Sequence, residues 1–123
     1  MTDRELLEAA AKAAGIGTLV WGDKYKLGDD EIDCTDIPYV RSGQPDEGDV
    51  FWDPLTDDGD ALRLAVSLGI SVSFDRLDQG IDERRVFAVY NRGVEFEHLG
   101  NDPLAATRRA IVRAAAEIGR SKK

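Results

Sequence analysis

Apolar positions along the chain switch between helical and strand spacing, and the switches predict its elements. Leu6, Leu7, Ala10, Ala13 and Ala14 recur at helical spacing behind Thr2-Asp3-Arg4-Glu5, a capping box whose threonine hydroxyl can accept from the third helical amide. Gly15 suits the left-handed position that ends a helix, and Ile16 supplies the apolar contact that accompanies it. Thr18 to Trp21 is short, β-branched and aromatic, which is a strand pattern. From Gly22 to Gly48 the period dissolves into glycines, prolines and acids, with weak strand signals around Tyr25 and Tyr39. A connection of this length inside a compact domain is unusual, and such segments are often functional.

Phe51 to Ile70 restores the pattern. Val50-Phe51-Trp52 reads as an edge or lid over the core and is broken by Asp53-Pro54. Thr56 or Asp57 caps a helix whose first turn carries Asp57, Asp58 and Asp60, the sign that suits the positive end of its dipole. Ala61, Leu62, Leu64, Ala65, Val66 and Leu68 cover more than one face, so this helix is expected to be the more deeply buried, and Gly69-Ile70 repeats the earlier ending. Ile70, Val72 and Phe74 then alternate with polar residues, Arg85 to Tyr90 is apolar on both faces, and Val94 and Phe96 alternate with Glu95 and Glu97 after the turn at Asn91-Arg92-Gly93. Asp102 caps a last helix with Pro103 at its first position. Its expected buried stripe is Leu104, Thr107, Ile111, Ala114, Ala115 and Ile118, its expected end is Gly119, and Arg109, Arg113 and Arg120 fall on the opposite, solvated face.

Helices that bury one stripe must cover a sheet. The expected fold is therefore α+β, a single layered domain over 1–123 with a mainly antiparallel sheet. It comprises a three-stranded meander over about 70–99, a short strand near 18–21 or 50–52, helices over about 3–14, 57–68 and 103–118, and an irregular acidic segment over 22–48. Packing on both faces of the meander is the expected reason for the two-sided apolar character of Val86 to Tyr90.

Composition narrows the function classes. The single cysteine, Cys34, cannot form an intramolecular bridge, and the acidic, alanine-rich start lacks the basic flank and apolar core of a signal peptide, so a cytoplasmic protein is expected. No segment approaches the ~18 uninterrupted apolar residues of a membrane span, so no membrane partner is expected. The formal charge of -8 argues against nonspecific binding to nucleic acid. The charge is uneven: Thr107 to Lys123 holds six basic residues against Glu117, a tail of +5.

The pairing of WDPLTDDGDALRLAVSLGI with NDPLAATRRAIVRAAAEIGR resembles the phage and prophage α/β/α sandwich domain family of small uncharacterised proteins. It is similar more distantly to the short Nin-region proteins of lambdoid phages. The resemblance covers chiefly Phe51 to Ile70 and Asn101 to Arg120. It implies a helix–sheet–helix sandwich and a phage accessory gene in the host-cell cytoplasm, and brings no activity and no catalytic residues with it.

Candidate chemistry is sparse. Asp57-Asp58-Gly59-Asp60 with Asp53 offers hard oxygen ligands, but not at the spacing of a calcium-binding loop, and a helix N-terminus accounts for the acids. His98 is the sole histidine and has no sequence partner for a nucleophile, base and orienter set. Asp29, Asp30, Glu31, Asp33 and Asp36 form either a solvated loop or an acidic surface able to occupy a host protein's basic groove. The last helix lacks an aromatic platform, so nucleic acid is an unfavoured partner. No catalytic residue, cofactor or metal site is assigned. The expected function is a non-enzymatic phage or prophage accessory protein that binds a host or phage protein. Asp29, Asp30, Glu31, Asp33, Trp52, Arg109 and Arg113 are the candidate contact residues. The alternative is a small-molecule or metal-binding protein, or an enzyme, using the acids of 53–60. The oligomeric state is left open.

Overall fold

Caps set the helices where the sequence places them. In a computed structural model describing residues 2–22, 24–35, 37–40, 50–76 and 83–121, α1 (Asp3–Ala14) starts on Thr2, whose hydroxyl accepts from the Glu5 amide at 3.1 Å. It ends at Gly15 with φ 69°, and the Ile16 amide donates to the Ala11 carbonyl at 3.1 Å. Of the two candidate caps for α2 (Asp58–Leu68), Asp57 takes the position and accepts from the Asp60 amide at 2.8 Å. Gly69 and Ile70 end it in the same way, with φ 68° at the glycine. The Asp102 carboxylate accepts from the Ala105 amide at 3.0 Å to open α3 (Pro103–Ser121).

Among the described residues the strands form three antiparallel sheets. Both short strands that the sequence offered as alternatives exist: β1 (Leu19–Trp21) pairs with β4 (Pro38–Val40), which pairs with β5 (Val50–Phe51). The segment expected to be irregular holds β4 and also a hairpin of β2 (Lys24–Leu27) and β3 (Asp30–Asp33), with Gly28 at φ 67° in its two-residue turn. Residues 23, 36 and 41–48 of that segment, Asp36 among them, lie outside the described residues. The meander is present as β6 (Ser71–Phe74), β7 (Arg85–Tyr90) and β8 (Gly93–His98), with Val86, Ala88 and Tyr90 on its inner face.

Three expectations about burial are corrected. First, α3 rather than α2 is the deepest helix. It lies between the meander and α1, so Ala110, Val112, Ala114, Ala115 and Ala116 are all fully buried, whereas Leu62 and Val66 of α2 and Leu104 at the start of α3 are exposed. Second, Gly119 does not end α3. A β-carbon there would overlap the Ala9 carbonyl oxygen and stand 3.3 Å from the Ala13 amide nitrogen, so glycine serves the close crossing of α1 and α3. Third, helices do not cover both faces of the meander. Among the described residues all three pack on its inner side or on one another, and the outer face stays exposed.

Candidate binding surfaces

The acidic segment is built into an arm. Alternate residues of β2 and β3 face opposite ways, and among the described residues the hairpin packs chiefly on itself. Its tip presents Asp29, Asp30 and Glu31, all exposed, beside Leu27, which is 67% exposed. Asp33 has a different task. Its carboxylate accepts from the Thr35 hydroxyl at 2.5 Å and the Thr35 amide at 2.9 Å, and these hydrogen bonds hold its carboxyl below the ordinary value. Asp33 thus shapes the turn that leaves the arm.

Arg109 and Arg113 do not stand on an open face. Because α3 runs through the middle of the molecule, its arginines reach the neighbouring elements. Arg109 donates to the Asp3 carboxylate at 2.8 Å and pins the start of α1. Arg113 donates to Glu97 at 2.9 Å, to Glu95 at 3.2 Å and to the Phe96 carbonyl at 3.1 Å. That carbonyl belongs to an edge strand, and a guanidinium on it blunts the edge. Arg108 donates to the Leu55 carbonyl at 2.8 Å and to Asp58 at 2.6 Å, tying α3 to the entry of α2.

The border of Phe51 and Trp52 divides between core and solvent. Trp52 packs against the core, while Phe51, one strand position away, is 72% exposed. Phe51 and Ile37 line a cleft of about 550 Å³ together with Asp53, Asp57, Asp60 and Arg63. The carboxylates here have structural partners: Asp57 caps α2, Asp60 accepts from the Asp53 amide at 3.0 Å and from Arg63 at 2.6 Å, and Asp53 accepts from the Leu55 amide at 3.2 Å. Among the described residues no group of three or more histidine, cysteine or acidic side chains is placed to hold a metal ion.

Asp53 is the unusual member. Burial is the main influence on it and raises its carboxyl above the ordinary value, against the hydrogen bonds from Thr56 and Leu55, with nearby Asp60 adding to the rise. A raised acid favours the protonated folded form, so ionising it costs stability above its folded pKa, and the cost disappears as pH falls below its unfolded value. Asp53→Asn keeps an oxygen for the Leu55 amide and removes the charge. The variant is expected to melt at the same or a higher temperature than the parent near pH 7, and the difference is expected to close on acidification. Thermal melts across pH check the sign.

One surface escaped the sequence reading. On the outer face of the meander, Val89 stands opposite Val94 and Phe87 opposite Phe96, with Arg85 opposite His98 at the end of the block. Val89, Val94 and Phe96 are 42, 50 and 46% exposed. The Arg85 guanidinium lies 5.2 Å from the Phe87 ring centroid and 6.0 Å from that of Phe96, and donates to Asp75 at 3.0 Å. Asp75 is held below the ordinary carboxylate value, chiefly by this hydrogen bond. The signal was in the chain, since Val94 and Phe96 share a face opposite to Glu95 and Glu97. Alternation shows that two faces differ, but not which of them meets the core.

No helix among the described residues is long and apolar enough to cross a membrane. Comparison of the chain with protein-family models, curated proteins and solved structures finds no match.

Proposed function

We propose that this chain is a non-enzymatic phage or prophage accessory protein that acts in the host cytoplasm by binding a host or phage protein. The observation that carries the reading is the β2–β3 arm. It is a strand pair with little core of its own, bearing three exposed acids and an exposed leucine at its tip. Isolated hairpins are marginal in water, and an apolar residue at an exposed tip gains little unless a partner covers it. Acids around such an anchor steer encounter with a basic groove and reject acidic partners. The resemblance of the α2 and α3 segments to small phage proteins supports the setting.

The test is capture by the tagged full chain from host lysate, compared with a triple variant carrying Asp29→Lys, Asp30→Lys and Glu31→Lys. A defined protein is expected to be enriched by the parent, to be lost with the variant at unchanged melting temperature, and to bind more weakly as salt rises. Equal enrichment by both chains would exclude the arm.

The second reading, a small-molecule or metal-binding role for the acids of 53–60, is favoured by the raised carboxyl of Asp53 in the lining of the Phe51 cleft. It predicts a higher melting temperature with divalent cations or small metabolites, abolished by Asp60→Asn.

A further inference from the structure

The geometry points to a small-molecule site between the start of α1, the end of β1 and the turn that leads into α2, fitted to a small carboxylate with an apolar body. These elements line a cavity of about 330 Å³ whose apolar walls are Leu7, Trp21 and Leu55. The volume lies at the small end of ligand pockets, and apolar walls with a few polar groups are the lining such pockets show. The walls are fixed from outside the cavity. Leu7 belongs to the buried core, Pro54 beside Leu55 is fully buried, and the Leu55 carbonyl accepts from Arg108 at 2.8 Å.

Charge selects the ligand. The charged residues lining the cavity are Asp3, Arg4 and Asp53. Asp3 is matched by Arg109 at 2.8 Å. Arg4 has no such match: among the described residues it donates no hydrogen bond, and the Glu8 carboxylate stands 3.7 Å from its Nε, beyond hydrogen-bond reach. Its guanidinium is nevertheless held in place, 4.5 Å from the Trp21 ring centroid, and the Trp21 indole N–H donates to the same Glu8 at 3.3 Å. Glu8 thus positions the tryptophan and the arginine together and leaves the two terminal guanidinium nitrogens without an acceptor. A carboxylate fits that fork through two parallel hydrogen bonds.

Asp53 sets the direction of the ligand. An anion beside it would be repelled, so the carboxylate belongs at Arg4 and the apolar body against Leu7 and Leu55. Burial favours the neutral form of Asp53, which weakens that repulsion. A cation is the competing ligand, since two of the three charged lining residues are acids. It is disfavoured because Asp3 is already paired, burial draws Asp53 toward neutrality, and Arg4 would repel it. The site goes beyond the partner-binding arm, whose tip acids do not line it, and it shares only Asp53 and Thr56 with the Phe51 cleft.

NMR titration of the full chain with phenylacetate, indole-3-acetate and hexanoate, each to about 20 mM, tests this. The best of the three is expected to bind with a dissociation constant on the order of 1 mM and to move the Trp21 indole N–H and the Leu7 and Leu55 methyl signals. Neutral phenylacetamide, which lacks the charge, and acetate, which lacks the body, are each expected to bind about tenfold more weakly. Arg4→Gln, at a side chain 56% exposed, is expected to lose about tenfold in affinity at unchanged melting temperature, and Arg4→Lys to recover only part of it because the fork is gone. Asp53→Asn is expected to bind at least as tightly as the parent. The arm variant of Asp29, Asp30 and Glu31 and the Asp60→Asn variant are expected to bind like the parent, which keeps this site separate from both functional readings. Silence with all three carboxylates would overturn the inference, as would phenylacetamide binding as well as phenylacetate, or shifts confined to Phe51 and Ile37. Benzylamine binding more tightly than phenylacetate would overturn it in favour of a cation site. The comparison of probes uses the parent chain alone, so it decides the matter even if an Arg4 variant fails to fold.

Discussion

Gly119→Ala is expected to lower stability by about 1–3 kcal/mol, even though alanine is the better helix former by about 1 kcal/mol. A β-carbon at Gly119 would overlap the Ala9 carbonyl oxygen, which is backbone and cannot step aside as a side-chain tip can. The clash is relieved only if α1 moves off α3, and Ala10, Ala11 and Ala13 are buried in the layer that would have to open. Larger residues need a larger shift, so Gly119→Leu is expected to cost more than Gly119→Ala. A chemical-denaturation series of the two variants checks the order, with Ser121→Ala on the exposed last turn as a control. A stabilised Gly119→Ala would mean that the α1–α3 crossing leaves room for a methyl group beside the Ala9 carbonyl.

Arg113→Ala is expected to cost about 1–3 kcal/mol, more than a surface ion pair contributes. The guanidinium serves three acceptors at once, and Glu95 and Glu97 are 19 and 25% exposed at their side chains, too covered for water to replace it fully. Removing it leaves two like charges side by side on the inner face of β8 and frees the Phe96 carbonyl on an open edge. The remedy distinguishes charge from packing. Adding Glu95→Gln and Glu97→Gln to Arg113→Ala is expected to restore much of the loss, because neutral amides remove the repulsion. Equilibrium unfolding of the single, double and triple variants forms the required cycle, and a loss unchanged in the triple variant would assign Arg113's contribution to packing of its stem.

Legibility in the sequence followed the range of the interaction responsible. The two Gly-Ile endings and the Asp102-Pro103 opening act within one helical turn, and each was found where its residues predicted it. The β2–β3 hairpin was missed for most of its length although Gly28-Asp29 is a hairpin dipeptide, because its strands are only four residues long and the Tyr25/Leu27 alternation is too short to stand out among the surrounding acids and glycines. The candidate residues divided in the same way. Asp29, Asp30 and Glu31 are exposed on the arm as their composition suggested, whereas Trp52 is drawn against the core. Arg109 and Arg113 are held by acids 106 residues and 16 to 18 residues away in sequence, distances over which local pattern carries no information.

The sequence by itself determined the α+β class, the bounds of the helices to within a few residues, the antiparallel meander and the capping chemistry, because these depend on hydrogen bonds and hydrophobic spacing between near neighbours. Tertiary structure alone decided which helix is central. A helical stripe shows that a face is apolar but not how many elements will press on it, and α3, flanked by the meander and α1, buries Ala110, Val112 and Ala116 outside the expected stripe and uses Gly119 for a helix crossing rather than a helix end. It also decided which side of the meander is dry. Strand alternation has two equivalent solutions until a helix settles on one of them, and here α3 took the side of Val86 and Ala88 and left Phe87, Val89, Val94 and Phe96 facing outward.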